Sequence, residues 1–81
     1  MPIVPLLSDG FFGPEDTKIL TAAFDTAWQT LRTSGSVFAA DYRATSTREL
    51  LAKRIIVTAR QGERDPIRLV DDALGYLENS N

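Results

Sequence analysis

Cysteine and histidine are both missing from this chain. The first absence rules out a disulfide staple and thiolate chemistry. The second removes the commonest general base, the commonest metal ligand and the side chain that titrates near neutrality. No apolar run approaches the roughly 20 residues that span a bilayer. The opening Met1-Pro2-Ile3-Val4-Pro5-Leu6-Leu7 lacks the basic start and long apolar core of a signal peptide, so a cytoplasmic protein is expected. There is no phosphate loop either, since Gly10-Phe11-Phe12-Gly13 has no lysine behind it. Acidic residues are present, but none at the spacing of a calcium loop. The pairs Glu15-Asp16 and Asp71-Asp72 are adjacent, and neighbours on a helix point about 100° apart. They cannot converge on one substrate atom. Helix-dipole compensation accounts for the first pair and solvation for the second. No enzymatic activity, catalytic residue, metal or cofactor is expected.

What is present is helical patterning. At 81 residues there is room for one core, and a chain this short buries only roughly 60–65% of its unfolded surface. Residues 1–13 hold two prolines, two glycines and the turn signal Ser8-Asp9-Gly10, and read as an extended arm. The arm is also apolar, through Ile3, Val4, Leu6, Leu7, Phe11 and Phe12, so part of it should lie against the helices. The first helix should begin at Pro14 and stop at Ser34-Gly35, with Leu20, Phe24, Ala27, Trp28 and Leu31 on one side. Trp28 lies within that stripe and is expected in the core.

Residues 36–45 fit a short helix or an irregular connection, with Val37, Phe38 and Tyr42 turned inward. The second helix should start at Ser46, which forms a capping box with Glu49. Its main face holds Leu51, Ala52, Ile55 and Ala59, with Ile56 at the margin. Leu50 and Val57 point almost the opposite way, so this helix is apolar on two sides. That is the mark of a central helix or an interface.

The turn Gly62-Glu63-Arg64-Asp65-Pro66 joins it to the third helix. Gly62 can close the preceding helix in the left-handed conformation, Asp65 can cap the next, and Pro66 suits its first position. Glu63 and Arg64 sit at the exposed tip, where they can serve as a recognition point, as solubilising charge or, for Arg64, as a donor to the last carbonyls of the second helix; the structural readings are expected over recognition. The third helix, Pro66 to about Glu78, should bury Ile67, Val70, Ala73, Leu74 and Leu77, with Leu69 and Tyr76 flanking. Gly75 costs a helix about 1 kcal/mol relative to alanine, which suggests close approach of a neighbour. Residues 79–81 should fray. The fold class is therefore all-α: a three-helix, or four-helix, bundle over residues 14–78 behind an N-terminal arm.

The net charge of −2 conceals an uneven distribution. Residues 43–68 carry seven basic and three acidic groups, while residues 1–42 carry two and five. A basic middle can neutralise the acidic helices beside it, or it can present a phosphate-binding face through Arg48, Lys53, Arg60 and Arg64. As a helix–turn–helix the chain is poor, because the third helix has one arginine against Asp71, Asp72 and Glu78. Nucleic-acid binding is thus the secondary expectation. The primary one is association with a protein partner or a second copy, through Leu50 and Val57 with Phe11 and Phe12. The Leu50/Val57 stripe needs a cover, and the chain's own arm is expected first, ahead of a second copy or a partner helix, since hydrophobic tails on small domains usually fold back. No membrane partner is expected.

The segments Leu51-Ala52-Lys53-Arg54-Ile55-Ile56, Ala59-Arg60-Gln61-Gly62-Glu63-Arg64-Asp65-Pro66, Leu69 and Ala73-Leu74 resemble part of a group of small uncharacterised all-helical proteins of alphaproteobacteria. The Pro14-Glu15 start, with Ala23-Phe24 and Ala27, is similar too. The resemblance implies a bacterial, cytoplasmic, all-α protein and brings no activity, cofactor or functional residue with it.

Overall fold

Three amphipathic segments with short connections have one economical solution, in which each helix turns its apolar side to the other two. The computed structural model, which describes residues 12–79, has this arrangement. Helix α1 spans Pro14–Thr33, α2 spans Ala44–Arg60 and α3 spans Pro66–Asn79, and each packs against both others. A short 3₁₀ turn, Val37–Ala39, links α1 to α2. Strands are absent among the described residues. Helices α1 and α3 run in the same direction with α2 antiparallel between them. Asp16 thus meets Arg64 at one end of the bundle, and Leu31 and Leu77 line one groove at the other.

The two glycine stops form the same way. Gly35 has φ +70° and Gly62 φ +108°, both in the left-handed region. Gly35 donates its N–H to Arg32 and Ser36 donates to Leu31. Gly62 donates to Ala59, and Glu63 donates to Thr58. Each pair satisfies carbonyls that the helix end leaves open. Asp65 caps α3 as expected, its Oδ1 accepting the Ile67 N–H at 2.9 Å. At the start of α1 the Asp16 carboxylate reaches back to accept the Gly13 N–H at 3.2 Å.

Helix α2 departs from its expected start. It begins at Ala44, with Arg43 in the cap position and no side-chain cap. The chain is already winding before Ser46: Arg43 donates to the Ala40 carbonyl at 2.9 Å, and Thr47 donates to that of Arg43 at 2.9 Å. With backbone acceptors in place there is no cap for Ser46 to make, and it faces solvent while Thr47 is buried. A Ser46→Ala variant should therefore keep its stability within about 0.5 kcal/mol in a urea titration. A true cap would lose about 1 kcal/mol. Of the three residues expected inward from the connection, only Phe38 is buried, with the Arg43 guanidinium 4.7 Å above its ring. Val37 and Tyr42 are exposed.

The core comprises Leu20, Ala23, Phe24, Ala27 and Leu31 of α1, Leu51, Ala52, Ile55, Ile56 and Ala59 of α2, and Leu69, Val70, Ala73 and Leu77 of α3. Phe12 and Phe38 close its edges, and Trp28 packs half-buried against it. The buried arc of α3 is rotated from the expected stripe. Leu69 is fully buried, whereas Ile67, placed inside by periodicity, is 71% exposed. Because α3 touches two helices, its buried arc is centred between Leu69 and Val70, and Ile67 falls outside it.

The expected close approach at Gly75 is not found. Beyond its own helix backbone and chain neighbours, nothing lies within 4 Å of where a Cβ would sit, and the residue keeps helical backbone. Gly75→Ala should therefore stabilise the protein, by about 0.5–1 kcal/mol, through helix propensity and a less flexible unfolded chain. A thermal melt showing a raised Tm checks this.

Candidate interaction surface

The second apolar side of α2 remains uncovered among the described residues. Leu50 is 39% exposed and Val57 46%. They lie two helical turns apart, about 10 Å along the axis, and between them α2 and α3 form a shallow depression. Leu50, Lys53, Arg54, Val57 and Tyr76 line this cavity of about 140 Å³. It continues along α2 into a second depression of about 300 Å³, lined by Lys53, Ile56, Val57 and Arg60. Together they form one strip, apolar along its floor and cationic along its edge.

The wall of the strip is fixed by a bidentate ion pair. Arg54 donates from Nε to Asp72 Oδ2 at 2.7 Å and from Nη2 to Oδ1 at 3.1 Å. The Thr58 hydroxyl donates to the same Oδ2 at 2.7 Å. The Arg54 guanidinium also lies 5.0 Å from the centre of the Tyr76 ring. Asp72 is therefore an inter-helix tie, a correction to its expected place on a solvated face. Arg54 and Tyr76 belong to the strip, although the sequence reading assigned Arg54 no role and placed Tyr76 only at the flank of the α3 stripe. An ion pair between helices depends on their relative register, which no periodicity within one helix reveals.

The four arginines and lysines expected to share a phosphate-binding face are separated. Arg48 lies half-buried against α1, its guanidinium 5.6 Å from the Trp28 ring centre and 6.0 Å from that of Phe24. Arg64 is turned into the bundle end. Its Nε donates to Asp16 Oδ1 at 2.8 Å, and its Nη1 donates to the carbonyls of Ala59 and Glu63. Its guanidinium lies 5.3 Å from the centre of the Phe12 ring. Arg64 thus reaches the α2 C-terminus, where a cation is favoured, and ties it to the start of α1. Lys53 and Arg60 alone of the four remain exposed on one face. Phe12, expected at an interface, is buried in the core because Arg64 and the α1 start close over it. Phe11 lies outside the described residues, as does the docking of the arm.

Asp72 is held below the ordinary carboxylate pKa, chiefly by its hydrogen bond from Arg54 and further by that from Thr58. Asp16 is lowered too, first by Arg64 and then by the Gly13 N–H. A carboxyl whose folded pKa is depressed contributes stability above its unfolded pKa and loses it as pH falls through the folded value. Stability should therefore drop on acidification below about pH 4. Asp72→Asn should make that decline shallower. Melting curves followed by circular dichroism from neutral to acid pH would check the slope.

Among the described residues there is no cluster of three or more acidic groups able to hold a metal ion. No described helix is long and apolar enough to cross a membrane. No family model, curated protein or solved structure matches the chain.

Proposed function

We propose that this protein is a non-enzymatic helical interaction module that works by associating with a protein partner or a second copy through the exposed side of α2. The observation that carries the reading is the pair Leu50 and Val57, set at helical spacing beside Tyr76 and exposed on a helix whose opposite side is fully buried. Exposed aliphatic residues scattered singly need no explanation, but a contiguous strip on a central helix does. A bacterial, cytoplasmic setting belongs to the same proposal and rests on the resemblance carried by the turn over residues 62–66.

The test is the double variant Leu50→Gln, Val57→Gln. Association, measured by sedimentation and by capture from a lysate, should be lost while the helical circular dichroism and cooperative melt are retained. Unfolding of the double variant would make these residues core and end the proposal.

A nucleic-acid reading draws on the exposed Lys53 and Arg60. Two phosphate contacts give a salt slope of only about −2 for duplex DNA, which makes this the weaker reading. It predicts binding that fades between low and physiological salt and falls when both cations become glutamate. Retention of binding by the charge-reversed protein would dispose of it.

A further inference from the structure

A cavity of about 300 Å³ lies at the far end of the bundle, away from the exposed side of α2. Because α1 and α3 run in the same direction, their C-termini at Thr33 and Asn79 share that end. Leu31, Phe38 and Leu77, all buried, supply the apolar part of the lining. Thr30, Ser34, Ser36 and Glu78 supply the polar part.

The hydrogen bonds these groups already make decide what they still offer. The Thr30 hydroxyl donates to the Thr26 carbonyl at 2.8 Å, and that of Ser34 donates to the Leu31 carbonyl at 3.1 Å. A hydroxyl has one hydrogen, so toward the cavity these two present only oxygen lone pairs. The Ser36 oxygen accepts the Phe38 N–H at 3.1 Å, which leaves its own hydrogen uncommitted. The Glu78 carboxylate only accepts, and it has no ion pair or hydrogen bond among the described residues.

No lysine, arginine or amide side chain among the described residues lines the cavity. Arg43 lies over the Phe38 ring without lining it, and Arg32 does not line it either. Helix α2 begins at this end but contributes nothing to the lining. The two C-terminal helix dipoles add negative partial charge, and the last turn of α3 holds no basic residue to offset it.

We infer that this cavity binds a short alkyl chain ending in a primary ammonium group. The three ammonium N–H donors match the acceptors of Thr30, Ser34 and Glu78, and the methylenes lie against Leu31, Phe38 and Leu77. A carboxylate in the same place would set lone pairs against lone pairs. A free amine and the lysine side chain of a peptide present the same chemistry. The site is built from α1, the 3₁₀ turn and α3, so it stands or falls apart from the reading of α2.

The experiment titrates the intact, isotopically labelled chain with n-butylamine at neutral pH, with butyrate and butanol as matched controls. Saturable amide shifts should centre on Thr30, Ser34, Phe38 and Glu78 with a Kd of about 1–10 mM, the range open to so small a ligand. Butyrate and butanol should not saturate. Glu78→Gln should raise the Kd about three- to fivefold, the scale of an exposed charge contact, and Thr30→Val should raise it by a smaller factor. Neither variant should lower the helical circular dichroism. N-acetyl-lysine methylamide forms the second arm: binding as tight as the amine assigns the cavity to a peptide lysine, and weaker binding assigns it to a free amine.

Shifts that do not saturate, equal shifts with butyrate, or shifts spread over other exposed carboxylates such as Glu15 and Asp25 would overturn the inference. An unchanged Kd in Glu78→Gln would do the same.

Discussion

A Leu51→Ala variant is expected to lose about 2–5 kcal/mol of stability, the usual result of deleting a fully buried leucine side chain. Leu51 has no exposed surface and lies on the side of α2 that faces both other helices. The loss combines transfer of the removed methyl groups with the cavity they leave, because the surrounding helices relax only in part. For 81 residues the total stability is about 4–12 kcal/mol, so one such deletion removes a large share of it. In a domain this small each kcal/mol corresponds to a Tm change of about 4–8 °C. The melt should therefore move by more than about 10 °C, and a shift under a few degrees would place Leu51 at the edge of the core. Leu50→Ala, one residue away, should change the melt little. That contrast between neighbours tests the two-sidedness of α2 more sharply than either variant alone.

The second large effect belongs to Gly62. At φ +108° its backbone is in a region that side chains with a Cβ, and β-branched ones above all, rarely adopt. Gly62→Val should cost about 1–3 kcal/mol, read as a fall in the urea midpoint at unchanged slope. Nothing stands within 4 Å of the site, so the loss comes from the backbone rather than from a clash. Gly75 is equally uncrowded yet helical, and its substitution should act in the opposite direction. Two glycines with similar surroundings and opposite responses separate conformational strain from packing. If Gly62→Val left the midpoint unchanged, the turn would have another conformation open to it.

Features that depend on a few consecutive residues were legible in the sequence. The Pro14 start, the Gly35 and Gly62 stops, the Asp65 cap and the three-helix architecture all follow from local chemistry. The placement of Leu50 and Val57 opposite the main apolar stripe was legible too, because it follows from the periodicity of one helix; the expected cover over them is not seen among the described residues. The readings that failed involve relations between elements. Ile67 followed the periodicity of its own helix, but the buried arc is set by where two neighbours touch it. Ser46 offered a sound cap that an earlier backbone turn made unnecessary. Arg48 and Asp72 were read as surface charges, yet each is engaged with groups distant in sequence, and Arg64 reaches the α2 carbonyls as one reading allowed but also pairs with Asp16 of α1. Of the strip, Leu50, Lys53, Ile56, Val57 and Arg60 were therefore visible beforehand, whereas the places of Arg54 and Tyr76 in it were not.

The Arg64 guanidinium bears on how the molecule opens. It spans 48 positions to Asp16 while holding the last turn of α2 and lying beside the Phe12 ring. The first turn of a helix is ordinarily where fraying starts, and its amides exchange with solvent fastest. Here that turn is anchored to the junction of the other two helices, so releasing it also releases the α2 carbonyl and the aromatic lid. Amides following Asp16 should exchange with free energies close to those at the α2 C-terminus. The bundle then has one opening unit at this end rather than three, and a probe at either site reports on both.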